Sequence, residues 1–462
     1  MNLLRAIKFS FISLLSIALA SCVGSDDYTT TYPSSDAQIY GLKIVGTPAN
    51  AIDSINYPVM AKTKFAIDQF RQHIYNPDSL PYRTDLKKKL AATIAFNSAG
   101  VGKVSLLYAN DSVADWGGNS DSIDFSTPSY PKFLLTAPDG ITKKTYTIDI
   151  RVHKVNPDTL VWENVSNTKQ ITLPSTVANQ KTLLKGSVFY TFSVDTDNNL
   201  YLHEAQKGSS YAAREALSGL PAANKFNLES IVLFNNSFYA TDTDKKVYTS
   251  TDGVSWQEKF SGVETILGVV PAMEESNDYL LAVTQDNYLS KISKSNTLEK
   301  IRVLNNTEKG ALPLSGFSSV TNYNRANKDL NLLMITGGVN SNNKVSNQTW
   351  LVQISSNQEL QLMLTDEHKV FTSKQGIPTF MYDNYLYALV SNKLYRSVSF
   401  GIKWTPAPTD LEFLDPKMPK ASNQSVVVDE DNYIWVFGGI QDNNTLVHEV
   451  WRGRLNKLNP KK

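Results

Sequence analysis

The one thiol of this chain lies near its amino terminus. Cys22 is the only cysteine in 462 residues, which excludes an intramolecular disulfide and a zinc or iron–sulfur site built from several cysteines. A basic start with Arg5 and Lys8 precedes an apolar run of twelve residues, Phe9 to Ala20. That run is shorter than the about 20 residues that span a bilayer. Its length and flanks predict a signal peptide over residues 1–21.

The tetrapeptide that ends at this thiol, Leu19-Ala20-Ser21-Cys22, resembles the lipobox of bacterial lipoproteins. The resemblance implies lipid on the Cys22 sulfur, a new amino terminus there after cleavage, and a membrane anchor. Residues 22–37 are rich in Ser, Thr and Tyr, which indicates a flexible tether. Within them Ser25-Asp26-Asp27 resembles the surface-export signal of Bacteroidota lipoproteins. We expect a lipid-anchored outer-membrane protein at the cell surface, with a periplasm-facing position as the alternative.

The other residue types that carry chemistry lack a catalytic or metal-binding spacing. The five histidines show no H-x-x-x-H pattern. Asp195 to Asn199 matches the start of a calcium loop, but Leu200 replaces the required glycine and Gln206 the required glutamate. A sialidase-like site needs an arginine cluster for the substrate carboxylate, and no arginine after residue 160 lies in the expected Phe-Arg-Ile-Pro context. We predict no metal and no cofactor; a non-enzymatic role is favoured, and catalysis is left open.

Composition favours β-structure and argues against nucleic acid as a partner. The 45 basic and 44 acidic side chains nearly cancel, and no basic stripe is present. The chain contains 22 Tyr, 19 Phe and 7 Trp, and its Asn, Ser and Thr are frequent. Aromatic residues suit short strands and these polar residues suit turns, so we expect an all-β fold.

The first predicted domain covers residues 38–154. Apolar and polar residues alternate from Tyr146 to Val152, which indicates a strand with one face in a core. The turn sequence Pro138-Asp139-Gly140 lies shortly before that strand. An antiparallel β-sandwich fits these features, and the pattern resembles the Ig-like modules near the start of many Bacteroidota surface lipoproteins. Residues 155–159 break the pattern and are predicted to be a linker.

A hidden period organises the remaining residues, 160–462. A polar pair followed by an aromatic or aliphatic run recurs six times, with starts 50, 42, 52, 54 and 48 residues apart. The six copies begin at Lys185, Asn235, Asn277, Asp329, Asp383 and Asp431. Four strands in about 50 residues make one propeller blade. The period therefore predicts a six-bladed β-propeller.

Two kinds of motif recur in phase with this period. The segment from Ser250 to Trp256 resembles an Asp-box, and the segment from Ser397 to Trp404 has the same frame with Ser399 in place of the Asp. Two glycine pairs, each twelve residues before a tryptophan, resemble kelch repeats. The motif residues are Ser250, Asp252, Gly253, Trp256, Gly401 and Trp404 for the first kind, and Gly337, Gly338, Trp350, Gly438, Gly439 and Trp451 for the second. We assign them structural roles, because hydroxyl and carboxylate groups at such positions satisfy backbone donors in a turn.

The chain as a whole resembles uncharacterised Bacteroidota lipoproteins that join an N-terminal Ig-like domain to a kelch- and Asp-box-like propeller. That family has no assigned function, so the resemblance implies location and fold rather than activity. We expect the propeller to bind a glycan or an envelope protein through its funnel and exposed aromatic residues. The alternatives are a glycan hydrolase or lyase with carboxylates in the funnel, and a scaffold subunit of an envelope complex.

Overall fold

The computed structural model describes residues 32–45, 57–84, 93–97, 102–116, 132–168, 171–324, 326–355, 357–412 and 418–458. Cys22, the predicted signal peptide and most of the predicted tether lie outside the described residues. The chain divides into two compact units between Asn156 and Pro157. In the described ranges, none of the helices combines the length and the apolar character needed to cross a membrane.

The first unit is built from short strands around one apolar core. They are β1 Gly41–Val45, β2 Ala66–Asp68, β3 His73–Tyr75, β4 Thr93–Asn97, β5 Lys103–Leu107, β6 Val113–Asp115, β7 Lys132–Thr136 and β8 Lys143–Asp149, with the one-turn helix α1 Tyr57–Met60. Six of them form a sheet in the order β2-β3-β8-β7-β5-β6, and β1 pairs with β4. Tyr146 and Ile148 on β8 point into the core beside Phe133 and Leu135, while Thr147 is exposed. The alternation in the sequence therefore places one face of β8 in the core.

One pairing in this unit differs from the wholly antiparallel prediction. Strands β3 and β8 run parallel, with His73 opposite Thr147 and Tyr75 opposite Asp149. A parallel pair needs a long crossover between its strands. The chain between Tyr75 and Lys143 is long enough, because it contains four further strands before β8 begins.

The second unit contains six four-stranded sheets among its described residues, numbered here in chain order. Sheet 1 is β10 Val177–Lys185, β11 Val188–Asp195, β12 Leu200–Gln206 and β13 Glu215–Ala216; sheet 2 is β14 Val232–Phe234, β15 Ser237–Thr241, β16 Lys246–Ser250 and β17 Gln257–Ser261; sheet 3 is β18 Val263–Val270, β19 Tyr279–Thr284, β20 Tyr288–Ile292 and β21 Leu298–Val303. Sheet 4 is β22 Pro313–Asn322, β23 Leu332–Asn340, β24 Thr349–Ile354 and β25 Leu360–Leu364; sheet 5 is β26 Thr379–Tyr382, β27 Tyr385–Val390, β28 Lys393–Ser397 and β29 Thr405–Pro406; sheet 6 is β30 Ser425–Val428, β31 Ile434–Phe437, β32 Val450–Leu455 and β9 Leu160–Asn164. Two short helices, α2 Val165–Thr168 and α3 Asn306–Ala311, lie between strands.

Each sheet is an antiparallel meander, and in sheets 2 and 5 the recurrent polar pair forms the first turn. Asn235 and Asn236 join β14 to β15 with φ of 47° and 62°, and Asp383 and Asn384 join β26 to β27 with φ of 47° and 64°. A two-residue hairpin loop with both φ positive has the twist that neighbouring strands need, and Asn and Asp tolerate that conformation. In sheets 3, 4 and 6 the first two strands are joined by longer connections, residues 271–278, 323–331 and 429–433, so the polar pairs there do not form a two-residue hairpin.

The six sheets close on themselves through shared apolar cores. A separate cluster of buried side chains lies between each sheet and the next, and Phe189 of sheet 1 packs on Trp435 and Phe437 of sheet 6. The first strand of each sheet lies at the centre of the ring of sheets, where β10 and β30 also contact each other. Strand β9, the first of the unit, completes the last sheet by pairing with β32. This architecture is that of a β-propeller.

Candidate functional site: a polar central cavity

A cavity of about 200 Å³ lies where the first strands of the six sheets converge. Every sheet contributes to its wall through its first strand or the segment that leads into it. Most polar groups of the wall are amides and hydroxyls; they belong to Gln180, Thr182, Asn227, Ser230, Thr265, Ser315, Ser318, Ser319, Thr379, Asn423, Gln424 and Ser425. The wall is therefore rich in neutral groups that both donate and accept hydrogen bonds.

Several of these polar groups hold neighbouring sheets together. The Thr182 N–H donates to Ser425 Oγ at 2.8 Å, which joins sheets 1 and 6. The Thr379 N–H donates to Ser318 Oγ at 2.9 Å, which joins sheets 4 and 5. Both polar atoms of the Gln180 amide form hydrogen bonds within the protein. Its Nε2 donates to the Phe437 carbonyl at 2.9 Å, and its Oε1 accepts from Thr182 Oγ1 at 2.8 Å. These bonds fix the shape of the cavity wall.

Backbone contacts narrow the cavity where sheets 4, 5 and 6 begin. The Gly376 N–H donates to the Gly316 carbonyl at 2.9 Å, and the Asn423 N–H donates to the Gly376 carbonyl at 2.8 Å. Gly376 has a φ of 65°, and an added Cβ would lie 1.4 Å from Asn423 Oδ1. Only glycine allows the three segments to approach this closely.

A 3-10 turn, Leu228–Ser230, lies in the connection that leads into sheet 2 and inserts into the centre of the ring of sheets. It contacts β10 and β11 of sheet 1, β15 of its own sheet and β22 of sheet 4. Leu228 is buried in the core between sheets 1 and 2 and anchors the turn. The turn places the Glu229 side chain in the cavity wall.

Two charged groups, Lys181 and Glu229, face each other across this polar space. They are the only Lys, Arg, Asp or Glu residues among the described residues that line the cavity, and neither forms an ion pair within 4.0 Å. Burial lowers the pKa of Lys181, and attraction to Glu229 partly offsets this. Burial likewise raises the pKa of Glu229 against the opposing effect of Lys181. Neither side chain has an ion-pair partner within 4.0 Å among the described residues, so both remain available to a ligand.

Sequence reasoning did not single out Lys181 and Glu229, because neither belongs to a motif. The sequence did contain a pattern that could have indicated Lys181 as a residue of the cavity wall. Once the recurrent hairpins are placed, the residues before each hairpin belong to the first strand of a sheet. Across those six strands the only charged residues are Lys181, Lys185 and Glu264, and Glu264 is bound to Lys245 at 2.8 Å.

The segment predicted to be an Asp-box lies at the hairpin between β16 and β17 of sheet 2. Asp252 Oδ1 accepts from the N–H groups of Val254 and Ser255, both at 2.8 Å, and Ser250 Oγ accepts from the Gly253 N–H at 2.9 Å. Trp256 Nε1 donates to the Gly253 carbonyl at 2.9 Å, and its ring packs in the core between sheets 1 and 2. None of these groups lines the cavity.

The related segment of sheet 5 uses a different set of bonds. Ser397 Oγ accepts from the Gly401 N–H at 2.9 Å, and Ser399 Oγ accepts from the Lys403 N–H at 3.0 Å. Trp404 fills the core between sheets 4 and 5. Its Nε1 is buried and has no acceptor.

The two glycine pairs take different places relative to their strands: Gly337 and Gly338 lie within β23, whereas Gly438 and Gly439 directly follow β31. Gly338 and Gly439 have φ of 91° and 105°, and an added Cβ would lie 2.7 Å from the Ser315 carbonyl oxygen and 2.6 Å from Gln424 Cγ. The preceding Gly337 and Gly438 also have positive φ, of 73° and 58°. Trp350 packs in the core between sheets 3 and 4, and Trp451 in the core between sheets 5 and 6.

The described residues contain no group of three or more His, Cys, Asp or Glu that could hold a metal ion. Asp195 forms a turn, in which its Oδ1 accepts from the N–H groups of Asp197 and Asn199 at 3.0 and 2.8 Å. None of the five arginines that the structure describes in the second unit lines the cavity. Glu229 is the single carboxylate among the described residues that line the cavity, whereas a glycosidase centre uses a pair.

Family models match both units of the chain. The model described as "DUF6242 beta propeller domain" matches residues 156–462, and the one described as "Domain of unknown function (DUF6242) N-terminal domain" matches residues 43–150. The first match covers more than half of the chain and confirms the prediction of a β-propeller. A comparison with curated proteins found no match.

Solved structures with a similar fold have little sequence identity to this chain. A DUF4623 family protein from Bacteroides eggerthii is 11% identical, with 91% of this chain and 98% of that chain covered and a TM-score of 0.37. An auxiliary nutrient binding protein from Bacteroides thetaiotaomicron is 9% identical, with 80% and 96% covered and a TM-score of 0.38. The structure of YjhT is 9% identical, with 60% and 95% covered and a TM-score of 0.43. At these scores the similarities carry no argument about function.

Proposed function

The chain belongs to the DUF6242 family, and we propose that it is a lipid-anchored envelope protein whose six-bladed propeller binds a saccharide in its central cavity. The observation that carries the proposal is the lining of that cavity by amides and hydroxyls with one lysine and one glutamate that form no ion pair. Sugar hydroxyls both donate and accept hydrogen bonds, and this wall offers the matching groups.

The size of the cavity supports a small ligand. Its volume of about 200 Å³ lies below the roughly 300–1,000 Å³ of sites for drug-sized molecules. One terminal sugar ring suits this space better than a buried oligosaccharide. A glycan would therefore place only its terminal sugar ring in the cavity.

Lys181 and Glu229 supply the strongest interactions in this proposal. Hydrogen bonds to charged groups are about twice as strong as neutral ones, and both charges face the cavity without an ion-pair partner among the described residues. Hydroxyl groups of one ring could accept from Lys181 Nζ and donate to Glu229. Binding would then replace the water that solvates both charges.

The location of the binding module follows from the amino terminus of the sequence. Lipid on Cys22, with residues 22–37 as a tether, would hold both folded units at the outer membrane. The surface position rests on Ser25-Asp26-Asp27 and the Ig-like identity of the first unit on its strand pattern, and both stay proposals. Labelling with a radioactive fatty acid tests the anchor, because Cys22→Ala should abolish the label.

The central test measures saccharide binding by the full soluble chain and by Lys181→Met. A panel of neutral and acidic mono- and oligosaccharides is screened by calorimetry. We expect one or more ligands to lose about tenfold or more in affinity, since a hydrogen bond to a charged group is worth about 1.5–3 kcal/mol. Lys259→Met, which changes an exposed lysine on β17, is the matched control and should bind normally.

The pH dependence of the same binding gives a second readout. Because burial lowers the pKa of Lys181, its charge is lost at a lower pH than that of an ordinary lysine. Affinity should therefore fall as the pH rises through this lowered value. A panel without any ligand, or affinities that Lys181→Met leaves unchanged, would contradict the proposal.

A further inference from the structure

A second recess, larger than the central cavity, lies on the second unit between sheets 4 and 5. It measures about 600 Å³, and we call it the lysine cleft, after Lys369, Lys393 and Lys420 in its wall. Lys369 comes from the connection between β25 and β26, Lys393 from the start of β28, and Lys420 from the connection that leads into β30. Three separate segments thus bring ammonium groups to one recess.

The three lysines are exposed, and none of them forms an ion pair with a described residue. Other lysines of this unit are paired, as in Lys225–Asp244 at 2.9 Å and Lys246–Glu258 at 2.7 Å. Glu367 is the one acidic residue in the described wall of the cleft. A concave surface with an excess of one charge concentrates its field and attracts ions of the opposite sign.

The floor of the cleft is rigid. Asn347 Nδ2 donates to the carbonyls of His368 and Phe371, at 2.6 and 2.7 Å, and holds the loop between β25 and β26 in place. Phe371 packs against Trp404 with ring centroids 5.7 Å apart and against Tyr395 at 5.1 Å. Burial lowers the pKa of His368 and so disfavours its charged form. The charge of the cleft at neutral pH therefore comes from its lysines and Glu367.

We propose that the lysine cleft binds an acidic polysaccharide, a chain of sugar rings that carries carboxylate or sulfate groups. The lysines would pair with the anionic groups, and the partly exposed ring of Tyr395 in the same wall offers an aromatic face for a sugar ring. This ligand differs from the small saccharide assigned to the central cavity, and the inference goes beyond that proposal. It needs neither Lys181 nor Glu229.

The position of the cleft suits an extended ligand. The connection between β25 and β26 lines the cleft with Thr372 and Ser373 and the central cavity with Gly376 and Ile377. Both recesses therefore open beside one loop, on the face where the first strands begin. The small overall charge, 45 basic against 44 acidic residues, and the local nature of the basic patch favour a saccharide over a nucleic acid, which usually meets an extended basic surface.

The test compares polymers that differ only in charge. Binding of the full soluble chain to polygalacturonate is measured beside its methyl-esterified form, and binding to dextran sulfate beside dextran, at low and physiological salt. We expect at least one acidic polymer to bind about tenfold or more tightly than its neutral counterpart, and to bind less tightly as salt rises. Preference for carboxylate or for sulfate identifies the anionic group.

Matched variants locate the binding. The triple variant Lys369→Gln, Lys393→Gln, Lys420→Gln should lose about tenfold in affinity, as the sum of three exposed ion pairs. The control triple Lys64→Gln, Lys259→Gln, Lys403→Gln removes the same charge from exposed lysines elsewhere and should bind normally. Lys181→Met should also bind the acidic polymer normally, which separates this proposal from the first. The six lysines of the two triple variants are exposed, and melting curves verify the fold of every variant.

Three outcomes would overturn the inference. The esterified polymer could bind as tightly as the acid, the two triple variants could lose affinity equally, or a single-stranded oligothymidylate could bind as tightly and respond to the cleft variant in the same way. The last result would assign the cleft to anions in general rather than to acidic polysaccharides.

Discussion

Two tryptophans in equivalent places have different hydrogen-bonding states. Trp256 and Trp404 each fill the core between their own sheet and the preceding one. The Trp256 N–H has an acceptor in Gly253, at 2.9 Å, whereas the Trp404 N–H has none. The loop from Ser397 to Trp404 is one residue longer than the loop from Ser250 to Trp256, and this changes which carbonyl lies beside the indole.

This difference predicts unequal costs for the same substitution. Trp256→Phe leaves the Gly253 carbonyl without its donor, while Trp404→Phe removes a donor that is already unsatisfied. Both variants lose packing, but Trp256→Phe should destabilise the protein by about 1–2 kcal/mol more. Urea unfolding of the two variants measures the difference. Equal costs, or a larger cost at Trp404, would show that the hydrogen bond does not decide stability at these positions.

Motif residues were easier to predict than the residues of the central cavity. Ser250 and Asp252 act on backbone groups within a few residues, so their local spacing indicates the contact. Lys181 lies on β10 and Glu229 in the 3-10 turn that leads into sheet 2, and the packing of this turn against β10 brings them to one cavity. No local spacing in the sequence encodes that meeting.

Among the elements, helix α3 has a well-defined start. Asn305 precedes it, and its Oδ1 accepts from the Glu308 N–H at 2.9 Å while Glu308 Oε2 accepts from the Asn305 N–H at 2.9 Å. This reciprocal pair is a capping box. Arg302 on β21 also donates to both oxygens of Glu308, at 2.7 and 2.6 Å. The carboxylate thus ties the helix to the strand before it.

The capping carboxylate should make stability depend on pH. Burial alone would raise the pKa of Glu308, but hydrogen bonds from Arg302 and the Asn305 N–H outweigh it and lower the pKa below its ordinary value. Its contribution is therefore complete above the ordinary value of the unfolded chain and is lost as the pH falls through the lowered one.

Glu308→Gln should accordingly cost about 2 kcal/mol at neutral pH, and the cost should shrink in acid. Glu258→Gln, which breaks the exposed pair with Lys246, is the control and should change stability by less than about 1 kcal/mol. Chemical unfolding at pH 7 and in acid measures both. A cost for Glu308→Gln that stays constant with pH would refute the role of the charged form.

Strands and hairpins could be predicted from the sequence where the pattern that specifies them lies within a few residues. The polar pairs matched the two-residue hairpins that begin sheets 2 and 5, because such a loop with positive φ selects Asn, Asp and Gly. In sheets 3, 4 and 6 longer connections take the place of that hairpin. The parallel pairing of β3 with β8 was not predicted. Its partners are more than 70 residues apart, and short alternating runs do not specify which distant strand they join.

At the scale of the whole second unit, the ring of sheets is closed by pairing between the first strand of the unit, β9, and its last strand, β32. Strand β9 pairs with β32 from Leu160 opposite Leu455 to Asn164 opposite Trp451. Gly453 leaves room for the ring of Trp162, since an added Cβ would lie 2.5 Å from it. Arg452 and Glu163 form an ion pair across the same two strands at 2.8 Å.

A disulfide across this closure should stabilise the unit. Val161 and Arg454 are opposite each other in the register, so Val161→Cys with Arg454→Cys can be oxidised, in a Cys22→Ser background that removes the third thiol. The bond closes a very long loop, for which chain entropy alone gives roughly 5 kcal/mol and measured gains are usually smaller.

The oxidised protein should therefore melt at a higher temperature than the same protein after reduction. The single variant Val161→Cys serves as the control and should melt alike with and without reductant. If oxidation leaves the melting temperature of the double variant unchanged, β9 separates from β32 only after the rest of the unit has unfolded, or the pairing is absent.

The number of strands and the period of about 50 residues could be read from the sequence, and the family match agrees with the propeller they predicted. The residues that line the central cavity could not be predicted from the sequence, because the lining depends on how six sheets tilt toward one axis. The role of β9 was also missed, since its partner lies at the far end of the unit.

The pairing of β9 with β32 also sets the order of events when the protein is made. Ribosomes deliver a chain from its amino terminus, so β9 emerges early in this unit and its partner emerges last. In the interval β9 is a free edge that can join the wrong strand or another molecule. Folding of the ring can finish only when β32 has been delivered, and β9 must stay protected from aggregation until then.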